Sequence, residues 1–216
     1  WLLILSALPI LSAEYVLMSD VPYGPLERNQ GDLYLPHNPE GKLLPAVVSF
    51  HGGAWGALKN SKTNNFMRIG CDLLAKNGIA CFSVNFTVDI GAPGALPDAY
   101  TSVRFLRKMS EKYKINPAAI GAIGRSNGGM SASHLAWSMP DDSMKLVIRG
   151  SNPKRDTMIA VNPQEGPHYG YASNVQALFV SSGLQWGVVN KQVINQRKPK
   201  EPNPPEFLPP VYFIGG

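Results

Sequence analysis

Only two of the 216 residues are cysteine, so the chain is no disulfide-built scaffold. Charged residues are few at 16%, against 44% hydrophobic, a balance that excludes a disordered polyelectrolyte and suits one domain with a single core. Acid is the scarcer sign, 15 residues against 20 basic, a formal charge of +5. The excess is scattered. Its one short run, Arg197, Lys198 and Lys200, lies among prolines without interleaved aromatics, which points to a solvated loop and to no nucleic-acid partner. Long apolar stretches are also missing, apart from Trp1 to Leu11. That run falls short of the roughly 20 residues a spanning helix needs, so no stable membrane insertion is expected.

What the chain does have begins with that run. Followed by the small residues of Leu11-Ser12-Ala13, it reads as the remnant of a signal peptide over residues 1–13, without the usual Met and basic leader. A buried first strand is the alternative. Export places the remaining domain, residues 14–216, in a secreted or periplasmic setting. Cys71 is predicted on a helix and Cys81 on the strand it covers. Helix and sheet backbones pack about 10 Å apart, whereas bridged Cα atoms lie nearer 5.5–6 Å, so two buried free thiols are expected.

Gln30 to Leu35 alternates polar and apolar residues as an edge strand does. Ala46 to Phe50, Ile79 to Val84, Ala119 to Ile123, Val175 to Val180 and Val211 to Ile214 are short apolar runs of the kind buried strands show. Helices are predicted over Phe66 to Lys76, from Pro97 onward with Ala99, Val103, Leu106, Met109 and Tyr113 on one face, and over Gly128 to Trp137. Strands alternating with helices give an α/β class with a mostly parallel sheet covered on both faces. Pro140 to Tyr171 and Leu184 to Pro210 are long, polar and rich in Pro, Asn and Gly, and such segments are usually functional rims; whether residues 140–171 form a lid is left open.

Gly124-Arg125-Ser126-Asn127-Gly128 matches G-x-S-x-G, with an apolar strand ending at its first glycine and a helix starting just past its second. That context makes Ser126 the candidate nucleophile, lifted above the sheet's C-terminal edge on a strained turn. A tight turn with Ser126 as an incidental helix cap is the plain alternative. Upstream, His51-Gly52-Gly53-Ala54-Trp55-Gly56 follows directly on the strand AVVSF. Gly52 shapes the turn there, and the N–H groups of Gly53 and Ala54, joined by that of Asn127, are the candidate oxyanion hole. Trp55 serves either as a wall of the acyl pocket or in packing, Arg125 flanks the pocket, and His51 is assigned an orienting role rather than that of base.

Together, Tyr23 to Pro36 with its DLYLP, the HGGAWG loop and IGAIGRSNGG over Ile120 to Gly129 resemble the secreted α/β-hydrolase esterases. More narrowly, they resemble the bacterial feruloyl and acetyl-xylan esterase group, relatives of the hormone-sensitive-lipase type. The resemblance implies an α/β-hydrolase three-layer sandwich and hydrolysis of carboxylic esters on a small molecule or polysaccharide, with no metal and no organic cofactor. Three positions depart from the family pattern: Ala54 for a third glycine, Asn127 for alanine, and Arg125 for an acidic or apolar residue.

In this fold the chain order is Ser, acid, His. Val211 to Ile214 matches the strand that the acid usually follows, so acid and His are expected beyond Gly216, together with the last strand and helix of the fold. Among the histidines present, His37 falls in a turn. His134 is eight residues along the helix from Ser126, about 12 Å at 1.5 Å per residue, which is beyond hydrogen-bond reach. His168, following Asp156 and Glu165, is the internal candidate. A catalytically inactive hydrolase fold that binds a ligand is the alternative function.

Overall fold

A computed structural model describes residues 15–38, 40–53, 61–88, 92–137, 144–148, 157–161, 166–181 and 211–214. The strands are β1 (Tyr15–Pro22), β2 (Gln30–Pro36), β3 (Leu44–Phe50), β4 (Ala80–Val84), β5 (Ile115–Arg125), β6 (Met144–Ile148), β7 (Thr157–Val161), β8 (Ala177–Ser181) and β9 (Val211–Ile214), of which β2, β3, β4, β5, β8 and β9 hold the alternating and apolar runs. Between them lie a 3-10 turn at Ser61–Thr63 and helices α1 (Asn65–Lys76), α2 (Ala92–Lys108), α3 (Ser110–Tyr113) and α4 (Asn127–Trp137). Seven strands form one sheet in the order β1-β2-β4-β3-β5-β8-β9, antiparallel at β1/β2 and β2/β4 and parallel from β4 to β9. Parallel strands need both faces covered, and β4 is accordingly buried along its whole length. Its Phe82 meets Tyr23 from the hairpin side and Phe105 from α2, the middle of a core that runs through Leu33, Val48, Leu106 and Ile120.

The helices start and stop for local reasons. The side chain of Asn64 accepts the Phe66 N–H at 2.8 Å, capping α1. At the other end, Gly78 takes a φ of +79° while its N–H and that of Ile79 reach back to Ala75 and Leu74. Proline does not open α2 where expected. The helix begins at Ala92, Pro93 takes the early position that lacks an intrahelical acceptor, and Pro97 lies inside.

Three further expectations change. Cys71 and Cys81 form a disulfide with Cα atoms 5.2 Å apart, not two free thiols. The usual 10 Å separates the helix axis from the sheet, and a Cα on the facing side is already about 2.3 Å nearer. Beyond that, α1 turns into β4 within a few residues, and the neighbouring Ala75 and Ala80 are small and fully buried, so the two backbones converge at this corner. The stretch read as one long polar segment, Pro140 to Tyr171, contains the antiparallel pair β6–β7, packed against α2. An edge strand, β1, precedes the first strand that alternation revealed. It is kinked where its register shifts between Met18 and Val21, with Asp20 at a φ of +54°.

Beside that kink a buried charge is matched. Lys62, of the 3-10 turn, forms ion pairs with buried Asp32 and, at 2.9 Å, with Asp20. Burial alone would lower the ammonium's pKa, but hydrogen bonds to the two carboxylates, added to their charges, carry it above the ordinary lysine value.

Candidate active site

Strand β5 ends at Arg125 and α4 begins at Asn127, leaving Ser126 alone to make the turn. It does so at a φ of +54°, a left-handed conformation that costs a residue with a Cβ on the order of 1–3 kcal/mol. The flanking glycines have no room for anything larger. A Cβ on Gly124 would stand 2.3 Å from the Gly128 carbonyl oxygen, and one on Gly128 would stand 2.2 Å from that of Phe50. The elbow is thus pressed against itself and against the end of β3. The first bond of α4 runs from the Met130 N–H to the Ser126 carbonyl at 3.1 Å, so the N–H groups of Asn127, Gly128 and Gly129 have no partner within the helix. Those donors and the helix dipole give the surroundings of Ser126 a positive bias.

The glycine loop arrives at the same point. A Cβ on Gly52 would lie 3.1 Å from the Arg125 carbonyl and 3.3 Å from the Ser126 Cβ, so the loop after β3 packs directly on the elbow. Gly53 follows at a φ of +142°. The structure therefore brings together Gly52, Gly53, Ser126 and Asn127. Ala54 and Trp55 lie outside the described residues. Arg125 is exposed, with its guanidinium carbon 5.5 Å over the Phe66 ring. The Asn127 side-chain amide is buried, and neither its oxygen nor its nitrogen has a hydrogen-bond partner among the described residues.

His51 is fully enclosed. Its ring stacks on Phe86 with centroids 4.3 Å apart, and its Nδ1 lies 2.8 Å from the Gly52 carbonyl oxygen. A carbonyl only accepts, so Nδ1 carries the proton. Nε2 is buried without a partner among the described residues. Burial, with Arg28 adding to it, pushes the pKa down to about 4 and keeps the ring neutral, against the weaker pull of the Gly52 carbonyl. An enclosed neutral imidazole that spends its proton on the neighbouring carbonyl is an orienting group.

Of the three other histidines, His37 is exposed just past β2, and neither His134 nor His168 meets Ser126. His134 is buried in α4 with a pKa pushed down to about 4. His168 sits at a φ of +59° with Nε2 2.8 Å from the Tyr23 carbonyl oxygen and Nδ1 3.5 Å from the Lys108 ammonium. Lys108 ends α2, the helix that leads down to the start of β5, whereas Ser126 follows the strand's finish. Asp156 and Glu165, the acids proposed with His168, lie outside the described residues. Among the described residues no group of three His, Cys, Asp or Glu is placed to hold a metal ion. An apolar hollow of about 290 Å³ between α1 and the sheet, lined by Phe66, Ile69, Leu74, Ile123 and Phe179, includes neither Ser126 nor His51.

Sequence reasoning did not single out the segment after β4. There Phe86 stacks on His51, and the only hint was its place just after the short buried run that ends at Val84.

Residues 31–166 match the BD-FAE family. An acetylxylan esterase of Xylanibacter ruminicola is 32% identical over 109 residues, half of this chain and 21% of the relative. Among solved structures, a truncated carbohydrate esterase from gut microbiota superposes with a TM-score of 0.63 at 24% identity, over 80% of this chain and 57% of that one. A bifunctional GH43-CE protein of Bacteroides eggerthii gives 0.64 at 27% identity, over 77% and 22%. Esterase 2 of Thermogutta terrifontis gives 0.55 at 19%, over 81% and 54%. The first and the last, both under 25% identical, show the shared α/β-hydrolase fold and no more. The chain spans about a fifth of the acetylxylan esterase and little more than half of the first carbohydrate esterase.

Proposed function

Since the chain belongs to the BD-FAE esterase family, we propose that it hydrolyses carboxylic esters, acetyl or aryl esters of carbohydrates, through an acyl-enzyme on Ser126. The observation that carries the reading is Ser126 at a φ of +54°, in contact with the Gly52-Gly53 turn. A serine in a left-handed conformation is retained where its oxygen must stand clear of strand and helix. In the mechanism, the Ser126 hydroxyl oxygen attacks the ester carbonyl carbon, and the proton it loses passes to a general base. The N–H groups of Gly53, Ala54 and Asn127 receive the negative charge on the carbonyl oxygen. Collapse expels the alcohol, which takes up that proton, and water then releases the acid and restores Ser126. Base and carboxylate come from outside the described residues, in the order serine, acid, histidine. Arg125 and Trp55 border the substrate.

The sugar-ester part rests on the acetylxylan esterase relative. Export follows from the apolar residues 1–11 and the small residues after them, with residues 14–216 as one hydrolase domain. No helix among the described residues is long and apolar enough to cross a membrane. Acetate release from acetylated xylan by the full-length protein tests the reading. It predicts release that Ser126→Ala abolishes while circular dichroism stays unchanged. Equal release by both proteins contradicts it, and no release by either favours a ligand-binding protein on the same fold.

A further inference from the structure

The three residues after β4 are fastened from every side. The Asn85 N–H bonds the Gln30 carbonyl at 2.9 Å, its carbonyl accepts the Tyr23 hydroxyl, and its side-chain oxygen accepts the Lys62 N–H at 2.8 Å. The Phe86 carbonyl accepts from Arg28 Nε at 2.7 Å. The Thr87 N–H donates to the Asp98 carboxylate at 2.7 Å. Anchors thus come from the β1–β2 connection, β2, the 3-10 turn and α2. A three-residue connection between a strand and the chain beyond does not need five hydrogen bonds from four elements merely to stay folded.

What this clamping delivers is the position of one ring. Phe86 is wholly buried and lies nearly parallel to the His51 imidazole, 14° between planes. Stacking leaves the imidazole free to slide but not to tip, and so holds Nδ1 in line with the Gly52 carbonyl. That carbonyl shares a planar trans peptide with the Gly53 N–H, and the two point in opposite directions. Fixing the oxygen therefore fixes the donor.

We propose that Phe86 is a positioning residue: its clamped ring holds His51, and through the Gly52–Gly53 peptide it sets the direction of the oxyanion-binding N–H of Gly53. This rests on the ester-hydrolase reading for its catalytic consequence, though not for the orientation of His51. Phe86 touches no substrate atom. Its effect belongs to the transition state, where charge develops on the carbonyl oxygen, rather than to ground-state binding.

The test compares Phe86→Leu with Phe82→Leu in the full-length protein. Both shorten an aromatic residue of the same core, and Phe82 stacks on Phe105 and meets Tyr23 edge to face rather than packing on His51. The proposal expects Phe86→Leu to lower kcat at least tenfold with KM within twofold, and Phe82→Leu to leave kcat within twofold. It also expects the His51 Nδ1–H resonance, slow to exchange in the parent, to be lost only in Phe86→Leu. Equal kcat losses in the two variants, or a His51 resonance unchanged by Phe86→Leu, overturns it. If Phe86→Leu does not fold, Arg28→Gln, which releases the Phe86 carbonyl, is expected to produce the same kcat loss and resonance change, and parent-like values overturn the proposal. A parent that hydrolyses no ester sinks the ester reading, while the His51 resonance still decides whether Phe86 holds the imidazole.

Discussion

At the scale of single residues, Ser126 pays in backbone strain for its place at the elbow. Its φ of +54° is one of four positive values among the described non-glycine residues, and of the four it alone sits between two glycines that close contacts forbid to grow. Replacing it separates chemistry from strain. Ser126→Gly relieves the left-handed penalty and Ser126→Ala does not, so Ser126→Gly is expected to exceed Ser126→Ala in unfolding free energy by about 1 kcal/mol, with hydrolysis lost in both. Urea unfolding of the pair checks this, and equal stability argues that the turn is unstrained. The elbow and the glycine loop were legible in the sequence because the chemistry is written in adjacent residues. The Phe86–His51 stack was not, because it joins positions 35 apart in the chain through a ring that any buried aromatic resembles. His168 was weighed as a base on chain order, yet the Tyr23 carbonyl and α2 hold it instead.

At the scale of elements, the disulfide pins α1 to β4 beside the ring pair of Tyr15 and Tyr34. With 10 residues of separation, closing the loop is worth about 2–3 kcal/mol in the chain-entropy picture. Cys71→Ser with Cys81→Ser is expected to lower the unfolding free energy by that amount in non-reducing buffer. Thermal unfolding with and without reductant checks it, the parent in reductant matching the double variant. An unshifted midpoint would mean that the thiols are free in solution. Spacing alone misled here, because the mean helix-to-sheet distance does not describe the corner where a helix turns into its next strand. The strands of the parallel sheet were legible as apolar runs, since burial on both faces removes polar residues from them. β6 and β7 were hidden by the polar stretches around them, and β1 by its two-sided exposure, with Val16 and Leu17 both outward-facing. Pro97 misplaced a helix start because proline favours the first turn, whereas here it lies inside α2.

At the scale of the whole molecule, pH should register the two enclosed histidines. His51 and His134 both have pKa values pushed down to about 4 from 6.5. Between those values the unfolded chain binds protons that the folded chain refuses, so stability falls as pH drops from about 6.5 to about 4, by at most about 3 kcal/mol for each ring. Asp98, whose carboxyl burial raises, works in the opposite direction above the ordinary carboxylate value, since there the folded state holds the extra proton. The net proton uptake on unfolding near pH 5.5 is therefore expected to be positive and to fall short of two. Urea midpoints across pH 4 to 7 measure it, and a flat profile would show that the rings are solvated. The central claim, a serine nucleophile on a hydrolase elbow, calls for a more direct measurement. A fluorophosphonate probe forms a bond only to a serine oxygen that is both activated and backed by oxyanion donors. The full-length protein should take up one equivalent, with the adduct on the peptide that contains Ser126 and none on Ser126→Ala. An unmodified Ser126 peptide in protein of native fold would contradict the account.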